Sequence, residues 1–173
     1  RMGTLYGAYL FIMLSEFALL QAGRHRVAGM CGLFGVIAGV AAHSNLGAVF
    51  GLLGGREFWH GPYMPIYFIT SAMMSGCALV IFFHWVAYRI NGWKMSEKLE
   101  ESLRAVAKLG ALLYLIIMFF TTWKMISGFA GHPPGKYEAI MSLLNGPFSR
   151  NFWYGAVALG IVSPVLIILA VRS

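Results

Sequence analysis

Five apolar stretches, at roughly residues 2 to 22, 27 to 54, 63 to 88, 105 to 127 and 152 to 171, account for most of the chain. At about 1.5 Å of rise per helical residue, each is long enough to cross about 30 Å of hydrocarbon. Backbone polar groups in lipid must be satisfied inside the segment that carries them, so such stretches fold as helices. With 59% hydrophobic residues, 11% charged and a mean hydropathy of +0.72, the chain lies far outside the range of soluble domains. The fold expected is all-α: a polytopic transmembrane helix bundle with about five membrane-spanning helices, forming a single transmembrane domain over residues 1–173.

The formal charge of +7 does not point to nucleic acid, because the basic residues stand singly at helix ends instead of forming a patch with interleaved aromatics. They act as topology signals. One face, side B, carries Arg24, Arg26, Arg89, Lys94, Lys98, Arg104 and Arg172; the other, side A, carries Arg1, Arg56, Lys136 and Arg150. The positive-inside rule makes side B cytoplasmic and side A the outer or periplasmic face. Lys108 and Lys124, near opposite ends of the fourth helix, are expected to snorkel to the two surfaces. The chain opens at Arg1 with neither an initiator methionine nor a signal-peptide pattern, and reads as a piece of a longer polypeptide.

Within the second apolar stretch Gly35, Gly39, His43, Gly47 and Gly51 recur four apart. Residues so spaced share one slowly drifting helix face, and glycines there let a neighbouring backbone approach closely. The imidazole is therefore expected on the protein-facing side. An ionisable group at membrane depth is expensive and marks a functional site by default. Counting about 1.5 Å per residue puts His43 about 16 Å below the side A end of its helix and Glu16 about 21 Å below the start of the first. On the same scale Asn45 and Ser71 fall about 12 to 14 Å deep. His43, Asn45, Ser71 and Glu16 are thus expected to line one polar pocket opening toward side A, below a loop that holds Arg56, Trp59 and His60.

Each feature also has an ordinary reading. A buried histidine can simply bond a neighbouring helix, Glu16 can satisfy itself locally as a neutral acid, Arg56 can be only a topology charge, and glycine stripes chiefly serve packing. His25, His60, His84 and His132 stand near the interfaces, where solvation is the ordinary state. Cys31 and Cys77 lack metal-ligand spacing, so no zinc or cluster motif is present. Haem between His43 and His84 fails on depth, since His84 lies about 31 Å from Tyr63 at the start of its helix; His25 and His84 share a level on side B, but His25 sits in a basic turn.

Between the helices, Ser96 is expected to cap a segment in which Leu99 and Leu103 alternate with charges, either a surface helix or an extension of the fourth span. Helix three is expected to end near the belt residues His84 and Trp85. The longest excursion, with Gly131-His132-Pro133-Pro134-Gly135 and Asn145-Gly146-Pro147 as turns, leaves Tyr137 to Leu144 for one or two helical turns.

The run His43-Ser-Asn-Leu-Gly47-Ala-Val-Phe-Gly51, followed by Gly55-Arg56-Glu-Phe-Trp59, Pro65-Ile-Tyr-Phe68, Ser71-Ala72 and Gly76, resembles the NrfD/PsrC family of integral membrane subunits of polysulfide reductase and related complexes, within it most closely the DsrP and HmcC type. Asn145-Gly146-Pro147-Phe148 with Phe152-Trp153 adds a weaker likeness. The resemblance implies a subunit of a bacterial or archaeal cytoplasmic membrane that has no haem or iron-sulfur cluster of its own. It binds menaquinone or ubiquinone and exchanges electrons with an iron-sulfur (ferredoxin-like) subunit and further redox subunits. Family members have more helices than are found here, so the chain looks like a partial copy. The family histidine of the glycine-bearing helix maps to His43, and the arginine and tryptophan of the connecting loop to Arg56 and Trp59; Glu16 rests on depth alone.

The function expected is a quinone-interacting membrane anchor of a multisubunit respiratory oxidoreductase. His43 and Glu16 carry the proton chemistry, and His43, Asn45, Arg56, Trp59 and Ser71 hold the quinone. Two rivals stay open: a proton- or ion-translocating subunit using Glu16 and His43 without quinone, and a haem b membrane cytochrome.

Overall fold

The computed structural model describes residues 2–55 and 58–165. Arg1, Arg56 and Arg172, and the last residues of the fifth expected span, lie outside the described residues. The described chain is all-α, with helices α1 (Met2–Gln21), α2 (His25–Gly51), α3 (Met64–Asn91), α4 (Glu97–Ala130), α5 (Lys136–Leu144) and α6 (Asn151–Val162). The first four are long and apolar enough to cross a membrane, and the segment Asn151–Val165 is a shorter apolar helix wound as a π-helix over Asn151–Val162. Large apolar side chains such as Phe11, Phe34, Phe83 and Leu115 point outward. That suits helices surrounded by hydrocarbon or by other apolar helices, and the protein is integral to the membrane.

The chain gathers into two compact units, one of Arg1–Leu52 with Gly61–Tyr114, the other of Leu53–His60 with Leu115–Ser173. In the first unit α1 and α2 form a tight antiparallel pair. Gly23, at φ +71°, ends α1, and the Arg24 amide donates back to the Leu19 carbonyl at 2.9 Å, which is the Schellman closure that a left-handed glycine permits. α2 meets α3 where Gly47 faces the Pro65 backbone and the Gly61 amide donates to the Gly51 carbonyl at 3.2 Å. Phe50 stacks on Phe68 with centroids 5.2 Å apart.

α3 does not stop at His84-Trp85. It continues to Asn91, whose side chain donates to the Ala87 carbonyl, and closes on Gly92 at φ +64°, because the first residue able to adopt that conformation cheaply is the glycine. The segment after Trp93 is an extension of α4. Ser96 Oγ accepts the Leu99 amide at 3.3 Å, the N-cap bond expected of a serine there, and Arg104 pairs with Glu100 one turn away at the exposed surface. Gly110 of α4 lies against Cys77 of α3.

In the second unit Gly128 of α4 leaves room for Ile140 of α5, which is 1% exposed. α5 occupies the stretch where a short helix was expected, entered through a turn in which the Lys136 and Tyr137 amides both donate to the Pro133 carbonyl. The Trp153 indole of α6 donates to the Leu144 carbonyl at 3.1 Å, tying α5 to α6.

Candidate functional site

The α1–α2 pair meets in a simple register. Facing the small residues of α2 are the large ones of α1: Glu16 beside Gly32, Met13 beside Gly35, Tyr9 beside Gly39, and Tyr6 edge-on to His43 with ring centroids 6.0 Å apart. A Cβ on Gly32 would lie 2.7 Å from Glu16 Oε1, one on Gly35 3.2 Å from Met13 Sδ, and one on Gly39 3.3 Å from Tyr9 Cε2. Tyr6, Tyr9, Met13 and Glu16 fall three and four apart, on one face of α1.

The glycine stripe serves two neighbours instead of one. Residues four apart advance about 40° around a helix of 3.6 residues per turn, so Gly35 and Gly47 point about 120° apart. Gly35 and Gly39 receive α1, whereas a Cβ on Gly47 would lie 2.5 Å from Pro65 Cα and 2.7 Å from the Met64 carbonyl oxygen of α3. His43 stands at the changeover.

The imidazole is half-buried, and its Nδ1 lies 2.9 Å from the Gly39 carbonyl oxygen one turn back. A carbonyl only accepts, so Nδ1 carries the proton and Nε2 is the acceptor of the neutral ring. Beside it runs a cavity of about 630 Å³. α1 contributes Tyr9, Met13 and Glu16 to its wall, α2 contributes Gly35, Gly39 and His43 among others, and α3 contributes Ala72 and Met73. His43 and Glu16 therefore line one groove.

They do not share a slab of the membrane. Glu16 is level with Gly32, eleven positions along α2 from His43, which is about 16 Å at about 1.5 Å per residue. The depth estimate from sequence assumed that α1 and α2 start at one height. Instead α2 runs past the start of α1, since Tyr6 is already level with His43. The groove accordingly extends from His43 toward the α1–α2 turn, the side B end. Asn45 and Ser71, both half-buried, are not among its lining residues. Tyr9 and the Tyr6 ring beside His43 escaped the sequence reading, although their spacing with Glu16 on α1 carried the signal.

Trp59 belongs to the second unit, and Arg56 lies outside the described residues. Trp59 packs edge-on against Phe58 with centroids 5.4 Å apart. Lys124 of α4 places its Nζ 3.4 Å from the Phe58 centroid and 4.4 Å from that of Trp59. Lys124 does not snorkel: it is 9% exposed. α4 continues six residues beyond it to Ala130, about 9 Å of helix, while two ring faces lie close at hand for its charge. Among the described residues no three His, Cys, Asp or Glu side chains converge as a metal-holding group.

The family model described as "Polysulphide reductase, NrfD" matches residues 6–173. The chain belongs to the NrfD polysulphide reductase family. Among curated proteins this NrfD-family chain is 28% identical over 171 residues to the Hdr-like menaquinol oxidoreductase integral membrane subunit of Archaeoglobus fulgidus, covering 95% of the chain and 41% of that relative. It is 29% identical over 147 residues to a selenate reductase subunit of Mesobacillus selenatarsenatis, covering 83% and 33%, and 26% identical over 111 residues to the protein NrfD of Escherichia coli, covering 64% and 33%. The chain thus spans well under half the length of these relatives. No solved structure matches it.

Proposed function

We propose that this NrfD-family chain forms part of the quinone-interacting membrane anchor of a multisubunit oxidoreductase. It exchanges electrons between menaquinol or another quinone and an iron-sulfur partner subunit, with further redox subunits completing the complex. The observation that carries the reading is the groove shared by His43 and Glu16, in which the Gly39 carbonyl fixes the imidazole tautomer. Its volume of about 630 Å³ lies within the roughly 300–1,000 Å³ usual for small-ligand sites, which are mostly apolar with a few placed polar groups. The Archaeoglobus relative, named as a menaquinol oxidoreductase subunit, supports menaquinol as the carrier.

A bound quinol supplies an electron pair and the protons that leave with it. The Nε2 of His43 accepts a hydrogen bond from a quinol hydroxyl and takes the proton that leaves it. Tyr6 braces the ring at its edge. Glu16 accepts protons at the far end of the groove, and Tyr9, packed on Gly39 between the two, supplies a polar hydroxyl along the way. Arg56, Trp59, Asn45 and Ser71 are proposed as further quinone-binding residues on sequence grounds.

In the assembled complex, His43→Ala is expected to lower quinol-coupled turnover by about a hundredfold or more, the usual scale of general acid–base catalysis, with subunit assembly unchanged. Loss of assembly would instead assign His43 a packing role. Proton transport by the purified protein with no quinone requirement would decide for an ion-conducting subunit.

A further inference from the structure

The groove along α2 offers a ligand more hydrogen-bond acceptors than donors. Among the described residues that line it, only Tyr9, Glu16 and His43 carry nitrogen or oxygen in their side chains. The neutral imidazole gives its one proton, on Nδ1, to the Gly39 carbonyl, so its Nε2 edge presents a lone pair and no hydrogen. An ionised Glu16 is likewise an acceptor. The phenol of Tyr9 is the exception.

Its place is set by α2. Because Gly39 has no side chain, the Tyr9 ring lies directly on that helix, with Cε2 3.3 Å and the hydroxyl-bearing Cζ 4.0 Å from where a Cβ would stand. Among the described residues no hydrogen bond occupies the hydroxyl. Tyr9 is level with Gly39, four positions from His43, or about 6 Å along the helix. Two partners that share one ring oxygen, each at about 2.8 Å, stand about 5 Å apart. Glu16 is too distant to serve: its level is about 16 Å from that of His43, and a ring bonded at both of its opposite oxygens spans about 11 Å between partners. Tyr6, edge-on to the imidazole, is not among the lining residues.

The two redox forms of the proposed ligand require opposite partners. A quinol hydroxyl donates to Nε2, whereas a quinone carbonyl only accepts. We propose that the Tyr9 hydroxyl is the donor that holds the oxidised ring, at the same oxygen that His43 binds in the reduced ring. His43 thereby favours quinol and Tyr9 favours quinone, and together they set how tightly each form is held. The inference rests on the quinone reading of the groove and adds to it a direct contact between Tyr9 and the ring.

The test measures equilibrium affinities of the intact complex for three probes with one common side chain: a menaquinone analogue, its chemically reduced quinol, and the naphthalene that lacks both ring oxygens. Tyr9→Phe, which keeps a ring against Gly39, is expected to weaken the quinone about tenfold and the other two by about twofold or less. His43→Ala should do the reverse, weakening the quinol and sparing the quinone. Equal losses for all three probes in Tyr9→Phe would make Tyr9 a packing residue, and an undiminished quinone affinity would leave it no role as donor. Either result overturns the inference while the quinone reading stands. Loss of quinone affinity in Tyr6→Phe in place of Tyr9→Phe would overturn it as well. Failure of every probe to bind the unaltered complex would instead sink the quinone reading, and this inference with it.

Discussion

The two units solve one problem, a titratable side chain in apolar surroundings, in opposite ways. In the first, His43 meets its own helix through Nδ1 and Gly39, touches the edge of Tyr6, and borders a cavity. In the second, Lys124 lies under two aromatic rings and is almost wholly covered. Glycine makes the first arrangement possible, since it brings α1 and α3 close to α2 without filling the space beside the imidazole. The second depends on large side chains that occupy the space completely. An exchangeable proton needs the former environment, while a charge held against aromatic rings is served by the latter.

The contrast breaks most sharply at Gly47. A side chain there meets backbone, Pro65 Cα at 2.5 Å and the Met64 carbonyl at 2.7 Å, which cannot swing aside. Gly47→Val is expected to destabilise the detergent-solubilised protein by about 3 kcal/mol or more, the upper range for overpacking, and to lower its thermal midpoint. Gly54→Val, in open space, should leave that midpoint unchanged. In the second unit, Lys124→Ala removes the cation and its stem from beneath the rings and should cost about 2 kcal/mol in the same measurement.

Smaller effects sharpen the comparison. Gly39→Ala meets only the edge of the Tyr9 ring, at 3.3 Å, and a ring can shift. It should cost about 1 kcal/mol or less in stability while narrowing the groove, so quinol KM is expected to rise with the thermal midpoint nearly constant. The smallest change is Trp153→Phe, which deletes the indole bond to the Leu144 carbonyl. About 0.5–1 kcal/mol is expected for a single net hydrogen bond, seen as faster amide exchange at the end of α5 with no effect on quinol kinetics.

Much of the fold was legible in the chain because hydropathy and turn chemistry act locally. The apolar runs became helices and Ser96 capped α4. His43 and Glu16 do line one groove, without Asn45 and Ser71 and without the common depth from which the pocket was expected. Their separation was not legible, because helix offset is set by packing between helices: the match of Tyr6, Tyr9, Met13 and Glu16 to the small face of α2 fixes it, and depth counted from helix ends carries no such information. The stripe of glycines looked like one face but turns far enough along α2 to serve both α1 and α3. Lys124 looked like a snorkelling cation because its neighbours in sequence are apolar; the rings that cover it come from residues about sixty-five positions away.

The central claim is that the Nε2 edge of His43 meets a quinone in the groove along α2. The direct measurement is the equilibrium affinity of the intact complex for a menaquinol analogue, whose ring hydroxyl can donate to Nε2, with and without His43→Ala, in protein shown to be assembled. A loss of about tenfold or more, the equivalent of one hydrogen bond of about 1.4 kcal/mol, is the result predicted. An affinity identical to that of the unaltered protein would contradict it.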